Sequence, residues 1–343
     1  MSRSLRVLAL MHEDLVPPDS IEGLDEKKID RFKTEYDVVT ALGWLGHEVV
    51  KLGVWDELAP LRRAIQDWEP HIVFNLLEEF HGQAVYDQNV VSYLELMRAA
   101  YSGCNPRGLI LARDKALSKK IVHYHRIRVP RFAVAPLGRR FRRPKRLEFP
   151  LIVKSLVEEA STGIAHASVV HADDKLEDRV RFIHDKVRTD AIAEQYIEGR
   201  EFYVGVLGNQ RLAVFPPWEI DLAGLPPDVP RIATRRLKLD AKYQKKHKVT
   251  AGPAQGLSDD LCRKVETTSK RIYRILGLSG YARIDFRLSP DGELYFLEAN
   301  PNPEIAIEEE FASSAKTSGL TFEELIQKIL NLGLSRASRQ QIG

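Results

Sequence analysis

Residues 281–303 read YARIDFRLSPDGELYFLEANPNP, two strand-like runs joined by Ser-Pro-Asp-Gly turn chemistry. Pro301 and Pro303 remove ladder donors and fix where the second strand stops. Alternate side chains of a strand share a face, which groups Phe296, Glu298 and Asn300. With SPDG as the loop, Leu288 pairs with Glu293 and Arg283 lies opposite Glu298. Arg283, Asp285, Glu298 and Asn300 then project together, with Asp285 diagonal to Glu298. A three-residue loop would instead turn Asp285 to the other face. Two carboxylates, an amide and an arginine on apolar strands are costly to bury without a ligand. Their oxygens suit magnesium. The end of the second run, taken alone, also fits a surface strand end whose Glu and Asn merely cap the next segment.

Working outward, the chain has 343 residues, 44% apolar and 29% charged, enough for two or three domains. Cys104 and Cys262 are far apart and lack CxxC spacing, so no disulfide framework or zinc site is expected. The N-terminal apolar stretch is too short for a signal peptide and no run reaches transmembrane length, so a cytoplasmic protein without membrane contact is expected. Net charge is +3, with basic clusters at 139–146 (RRFRRPKR) and 231–248 (RIATRRLKLDAKYQKKHK). Neither interleaves aromatics for base stacking, which disfavours a nucleic-acid partner. Each reads as a solvated loop or as an attractor of polyphosphate.

The first hundred residues alternate strand-like runs (5–10, 48–54, 71–77) with helix-like stretches (31–45, 60–68, 84–99). This rhythm predicts a parallel sheet covered by helices. No GxGxxG follows the first strand, so a dinucleotide fingerprint is missing. Further on, Lys154 ends the apolar strand LIV, and Lys115 follows Asp114 at a helix start. Each alone is more often a snorkelling surface lysine. The small-residue stretch after Lys154 lets backbone N–H groups approach phosphate, although GxxxxGK[ST] is absent.

Six ordered stretches carry a resemblance: RDKALSKK (113–120), LIVKSLVEEASTG (151–163), AEQYIEGREFYVGVLGN (193–209), DAKYQ (240–244), YARIDFRL (281–288) and YFLEANPNP (295–303). Together they resemble the ATP-grasp superfamily, and within it the D-alanine–D-alanine ligases. The resemblance implies an α/β, three-domain ATP-grasp fold with an N-terminal parallel-sheet domain. The expected units are 1–104, 105–190 and 191–343, with a lid at 231–250. It implies an ADP-forming ligase that joins a carboxylate to an amine through an acylphosphate. The substrates would be an amino acid or small acid and an amine. The other reading is a D-alanine–D-alanine ligase of peptidoglycan synthesis. ATP and two magnesium ions, replaceable by manganese, would be the cofactors, and a homodimer the assembly.

By the same resemblance, Lys115 and Lys154 would hold phosphates, under a loop containing Ser161 and Gly163. Glu194 and Ile197, with main-chain atoms of Gln195 and Tyr196, would line the adenine pocket, and Glu201 would accept ribose hydroxyls. Lys242 would close over the γ-phosphate, and Tyr243 with Glu158 would latch the lid, although Ala160 stands where the family has a serine. Asp285, Glu298 and Asn300 would bind the metal, and Arg283 would stabilise the oxyanion. The substrate end departs from the family. LMHEDLVPPD lacks its glycine-rich stretch, leaving Glu13 or Asp14 to substitute by position, and His81-Gly82 stands alone for a histidine-glycine loop. Glu304 occupies a glycine position, with Glu308, Glu309 and Glu310 after it and no serine to grip a carboxylate. Such a segment would favour an amine-bearing acceptor over D-alanine.

Overall fold

β1 (Arg6–His12) is apolar on both faces because it is the middle strand of a parallel sheet with order β2-β1-β3. The computed structural model describes residues 4–158, 165–222, 224–226, 229–234 and 241–340. After β1 come α1 (Glu26–Arg31), α2 (Lys33–Trp44), β2 (Glu48–Val54), α3 (Ala59–Trp68), β3 (Ile72–Asn75) and α4 (Asp87–Leu96). The expected βαβ rhythm is present, with the helix expected over 31–45 broken at Phe32. Leu8 and Leu10 pack beneath α3 and α4, whereas Val7, Ala9 and Met11 meet Val38 and Leu42 of α2.

α5 (Pro106–Arg113) and α6 (Lys115–Tyr124) lead into a second, antiparallel sheet. Asp114 caps α6 by accepting from the N–H groups of Ala116 and Leu117, and so sets Lys115 at the first helical position. β4 (Phe132–Ala135), β5 (Leu151–Ser155), β6 (Val169–Val170), α7 (Asp173–Phe182) and β7 (Ala191–Gln195) come next, with sheet order β4-β7-β5-β6. β7 pairs with both β4 and β5, so this sheet extends past residue 190, where sequence reading divided the chain. In the basic loop, Arg143 pairs with Asp173 at 2.8 Å and covers the Phe149 ring, a structural use for one of its charges.

The third unit contains β8 (Arg200–Gly208), β9 (Leu212–Val214), β10 (Trp218–Asp221), α8 (Ala241–His247), β11 (Thr250–Pro253) and α9 (Asp259–Ile275). β12 (Tyr281–Leu288), β13 (Leu294–Pro301), α10 (Glu310–Thr317) and α11 (Phe322–Gln340) complete it. The strand order is β11-β10-β8-β12-β13, with β9 also on β8. The chain enters this sheet at Gly199, whose φ is +129°. A Cβ there would sit 1.9 Å from the Leu288 carbonyl oxygen, so only glycine fits. Phe202, Val204, Val206, Ala282, Ile284 and Phe286 face the core with Val265, Ile272 and Tyr273 of α9. On the opposite face, Glu201, Tyr203, Arg283, Asp285 and Arg287 border the cleft toward the second sheet, whereas Leu207 and Tyr281 pack with Phe311 of α10.

The β12–β13 register differs from the expected one. Leu288 pairs with Leu294, and Phe286 with Phe296, but Asp285 pairs with Glu298 and Arg283 with Asn300. One extra residue, Leu297, forms a β-bulge between the two halves. Phe296 therefore lies in the core with Ala299 and does not share a face with Glu298. The five residues between Leu288 and Leu294 would by themselves have inverted the parity. The bulge inverts it again, so Asp285 and Glu298 end directly opposite, not diagonal.

Candidate active site

Cross-strand pairing sets Gly205 against Arg283, Tyr203 against Asp285 and Glu201 against Arg287. Arg283 donates from Nε and Nη2 to the two oxygens of Asp285, at 2.8 and 3.0 Å. Its guanidinium lies 5.0 Å from the Tyr203 ring centre, and its Nη1 is 3.4 Å from Glu310 Oε2. Asn300 Nδ2 donates to Asp285 Oδ2 at 2.9 Å. That leaves Asn300 Oδ1 without a donor among the described residues.

Opposite this cluster lies a second set of buried charges. Lys154 meets Glu194 Oε1 at 2.6 Å, and Lys119 lies 3.1 Å from the other Glu194 oxygen. Lys119 also donates to the Leu297 carbonyl, the bulged residue. Lys115 donates to the Glu158 carbonyl at 2.7 Å and stands 3.7 Å from Glu298 Oε2. Burial alone would raise the Glu298 pKa, but Lys115, Lys154 and Lys119 together outweigh it and hold the carboxylate ionised. Asp285 is driven the other way, because burial, aided by Glu298, exceeds the pull of Arg283. Burial depresses Lys119, whereas the carboxylates Glu194 and Glu298 overcome burial at Lys154 and raise it.

The donor set fits magnesium. Asp285, Glu298 and the free amide oxygen of Asn300 are hard oxygen ligands on one face, two rungs apart, and Glu298 accepts no hydrogen bond among the described residues. No group of three or more His, Cys, Asp or Glu side chains forms a metal cage among the described residues. Magnesium held by one or two carboxylates is completed by waters and substrate phosphates.

A cleft of 80 Å³ separates the two sheets, bordered by Ile152, Lys154, Glu194, Tyr196, Asp285 and Glu298 among others. The N–H groups of Gln195 and Tyr196 are already bonded to the Arg131 and Pro150 carbonyls, so those two donors are not free for a base. Glu201 accepts from the Tyr203 hydroxyl through one oxygen and from Arg287 through the other. Ser161, Gly163 and the Lys242 side chain lie outside the described residues. The Tyr243 hydroxyl is 3.4 Å from His166 Nε2, and Glu158 enters the site through its carbonyl, so the expected latch has other neighbours here.

Residues 121–331 match the family model described as "D-ala D-ala ligase C-terminus". The chain belongs to the D-alanine–D-alanine ligase family. It is 30% identical to the D-alanine–D-alanine ligase of Desulfotalea psychrophila, over 77% of this chain and 78% of that one. It is also 30% identical to the uncharacterized protein y4sG of Sinorhizobium fredii, over 77% of this chain and 75% of that protein. The fold matches the D-alanine–D-alanine ligase of Bacillus anthracis complexed with ATP, with a TM-score of 0.74 at 21% identity, covering 98% and 100% of the two chains. The VanG D-Ala:D-Ser ligase of Enterococcus faecalis matches at 0.68, with 19% identity, over 96% and 100%. This member of the family has the ATP-grasp fold and is an ADP-forming, ATP-dependent amide-bond ligase that uses magnesium.

The substrate residues expected in this ligase are not brought to the cluster. Glu13 is exposed in a 3-10 turn whose backbone packs on Gly53, and His81 stacks on Trp55 at 6.4 Å, also exposed. Glu304 is exposed beside Thr34 of α2, and Glu308 pairs with Lys33. It is Glu310, not Glu304, that reaches Arg283. Lys119, Tyr203 and Arg287 were missed as well. Lys119 lies four residues after Lys115 and hence on the same helix face, and Arg287 comes two after Asp285 on a strand, so both periodicities carried the signal.

Proposed function

We propose that this ligase joins an amino acid or small carboxylic acid to an amine other than D-alanine. ATP would enter between β5–β7 and β8–β12–β13, with Lys115 and Lys154 neutralising its phosphates. Asp285, Glu298 and Asn300 are the residues to hold two magnesium ions, with manganese able to substitute. That metal would supply charge neutralisation at the β- and γ-phosphates. The donor carboxylate takes the γ-phosphoryl group, breaking its bond to ADP. The acceptor nitrogen then attacks the acyl carbon, phosphate departs, and the amine gives up its proton. Arg283 faces the carbonyl oxygen as charge develops.

The acceptor assignment rests on one observation, the Glu310 carboxylate 3.4 Å from Arg283. A second anion beside that arginine competes with a carboxylate-bearing acceptor. Two like charges near 5 Å cost about 1 kcal/mol in water and several in a drier site. Phosphate release across a panel of acid and amine pairs tests this. D-alanine alone should give weak or no turnover, and an acceptor without a free carboxylate should do better. D-alanine dimerisation at the rate of the best pair would restore the D-alanine–D-alanine ligase of peptidoglycan synthesis. The same reading takes the enzyme as a cytoplasmic homodimer, which sedimentation at working concentration tests; no described helix is long and apolar enough to cross a membrane.

A further inference from the structure

Arg287 shares the cleft face of β12 with Arg283 and Asp285 and is directly opposite Glu201. It is only 4% exposed. Nη2 donates to Glu201 Oε2 at 2.5 Å, and Nη1 donates to the Gly199 and Arg231 carbonyls at 3.2 and 2.9 Å. A guanidinium has five N–H donors. Nε–H and the second Nη2–H find no acceptor among the described residues. The Tyr196 ring centre lies 5.7 Å from the guanidinium, and its hydroxyl accepts from the Arg231 N–H at 3.1 Å. Glu201 and Arg287 border both the 80 Å³ cleft and an adjoining cavity of 590 Å³, so a ligand extending from one to the other must pass against this pair.

We infer that Arg287 is a specificity-determining residue for the nucleotide, reading the ribose together with Glu201 and fixing Arg231 beside the sugar. The inference rests on the proposed placement of ATP between the two sheets. A hydroxyl both donates and accepts, and a carboxylate beside a guanidinium offers the complement of both. A phosphate would be repelled by Glu201. The apolar side chains suited to a base, Ile152, Ile197 and Leu297, border the 80 Å³ cleft and not the larger cavity. Arg287 donates to a ribose oxygen while Glu201 accepts the hydroxyl hydrogen, and the pair loses one partner when the 2′-hydroxyl is missing.

The test compares equilibrium binding and turnover with ATP and 2′-deoxy-ATP in the wild type, Arg287→Met, Arg287→Lys and Glu201→Gln. The wild type should prefer ATP by about tenfold, and Arg287→Met should bind both nucleotides equally, at the weaker affinity. Arg287→Lys keeps the charge beside Glu201 but has one fewer oriented donor pair, so it should retain part of the preference. The effect should appear in KM for ATP more than in kcat. If Arg287→Met fails to fold, Arg287→Lys and Glu201→Gln carry the same comparison. An unchanged preference in the variants, or none in the wild type, overturns the inference alone. A wild type that binds neither nucleotide with magnesium overturns the nucleotide cleft and this inference with it.

Discussion

Asp285 and Glu298 face each other across a strand pair, yet opposite surroundings act on them, burial at one and three lysines at the other. A cation held by these carboxylates would remove the repulsion between them. Glu298→Gln and Asp285→Asn should each lower ADP formation by about a hundredfold or more while unfolding remains cooperative. Full turnover by either variant at ordinary magnesium would sink the metal assignment. A separate carboxylate sets a pH dependence. Glu35 is buried on the α2 face that carries Val38 and Leu42. Burial, helped by Glu304, raises its pKa from 4.5 to about 7 against the pull of its own N–H. Between those values the folded chain keeps a proton that the unfolded chain has released, so stability falls as pH rises through that window. Glu35→Gln should match the wild type near pH 4 and exceed it by roughly 2–3 kcal/mol near pH 8. Urea unfolding at both pH values checks this, and an equal gap at both would refute it.

The bulge at Leu297 decides the geometry of the site at the level of the strand pair. Sequence alternation correctly grouped Arg283, Asp285, Glu298 and Asn300, but by a different route. It assumed a loop that the chain does not have, and the bulge supplied the missing parity change. Alternation cannot show a bulge, because an extra leucine reads as one more strand residue. The motifs were legible because caps and strand ends are local: Asp114 announces Lys115, and the prolines announce the end of β13. The substrate end was not, because Glu13, His81 and Glu304 sit on loops whose course depends on distant contacts. The bulge also has a dedicated partner, since Lys119 is fully buried and donates to its carbonyl while pairing with Glu194. Lys119→Met leaves Glu194 with Lys154 alone and should destabilise the fold by about 3–5 kcal/mol. A denaturation midpoint like that of the wild type would show the lysine to be dispensable.

At the scale of the molecule, the cleft of 80 Å³ is far smaller than a usual ligand site of about 300–1,000 Å³. The adjoining 590 Å³ cavity, which shares Glu201 and Arg287 with it, supplies the remaining room for a nucleotide in our reading. By the family resemblance the basic segment 231–248 would close over a bound phosphate, drawn there by its positive charge. Proteolytic cleavage within 231–250 should be suppressed by ATP with magnesium. Equal cleavage with and without nucleotide would mark the segment as a static loop. The last helix has a different kind of consequence. Leu325, Ile326, Ile329 and Leu330 of α11 share a core with Val7, Ala9 and Met11 of β1, and Arg336 donates to the Tyr101 and Gly103 carbonyls. The parallel sheet is thus synthesised well before α11 exists to cover one of its faces, an interval of roughly 12–50 s at ordinary rates of synthesis. Through that interval the nascent chain presents an incompletely covered apolar face, the kind of surface that chaperones hold and aggregates grow from.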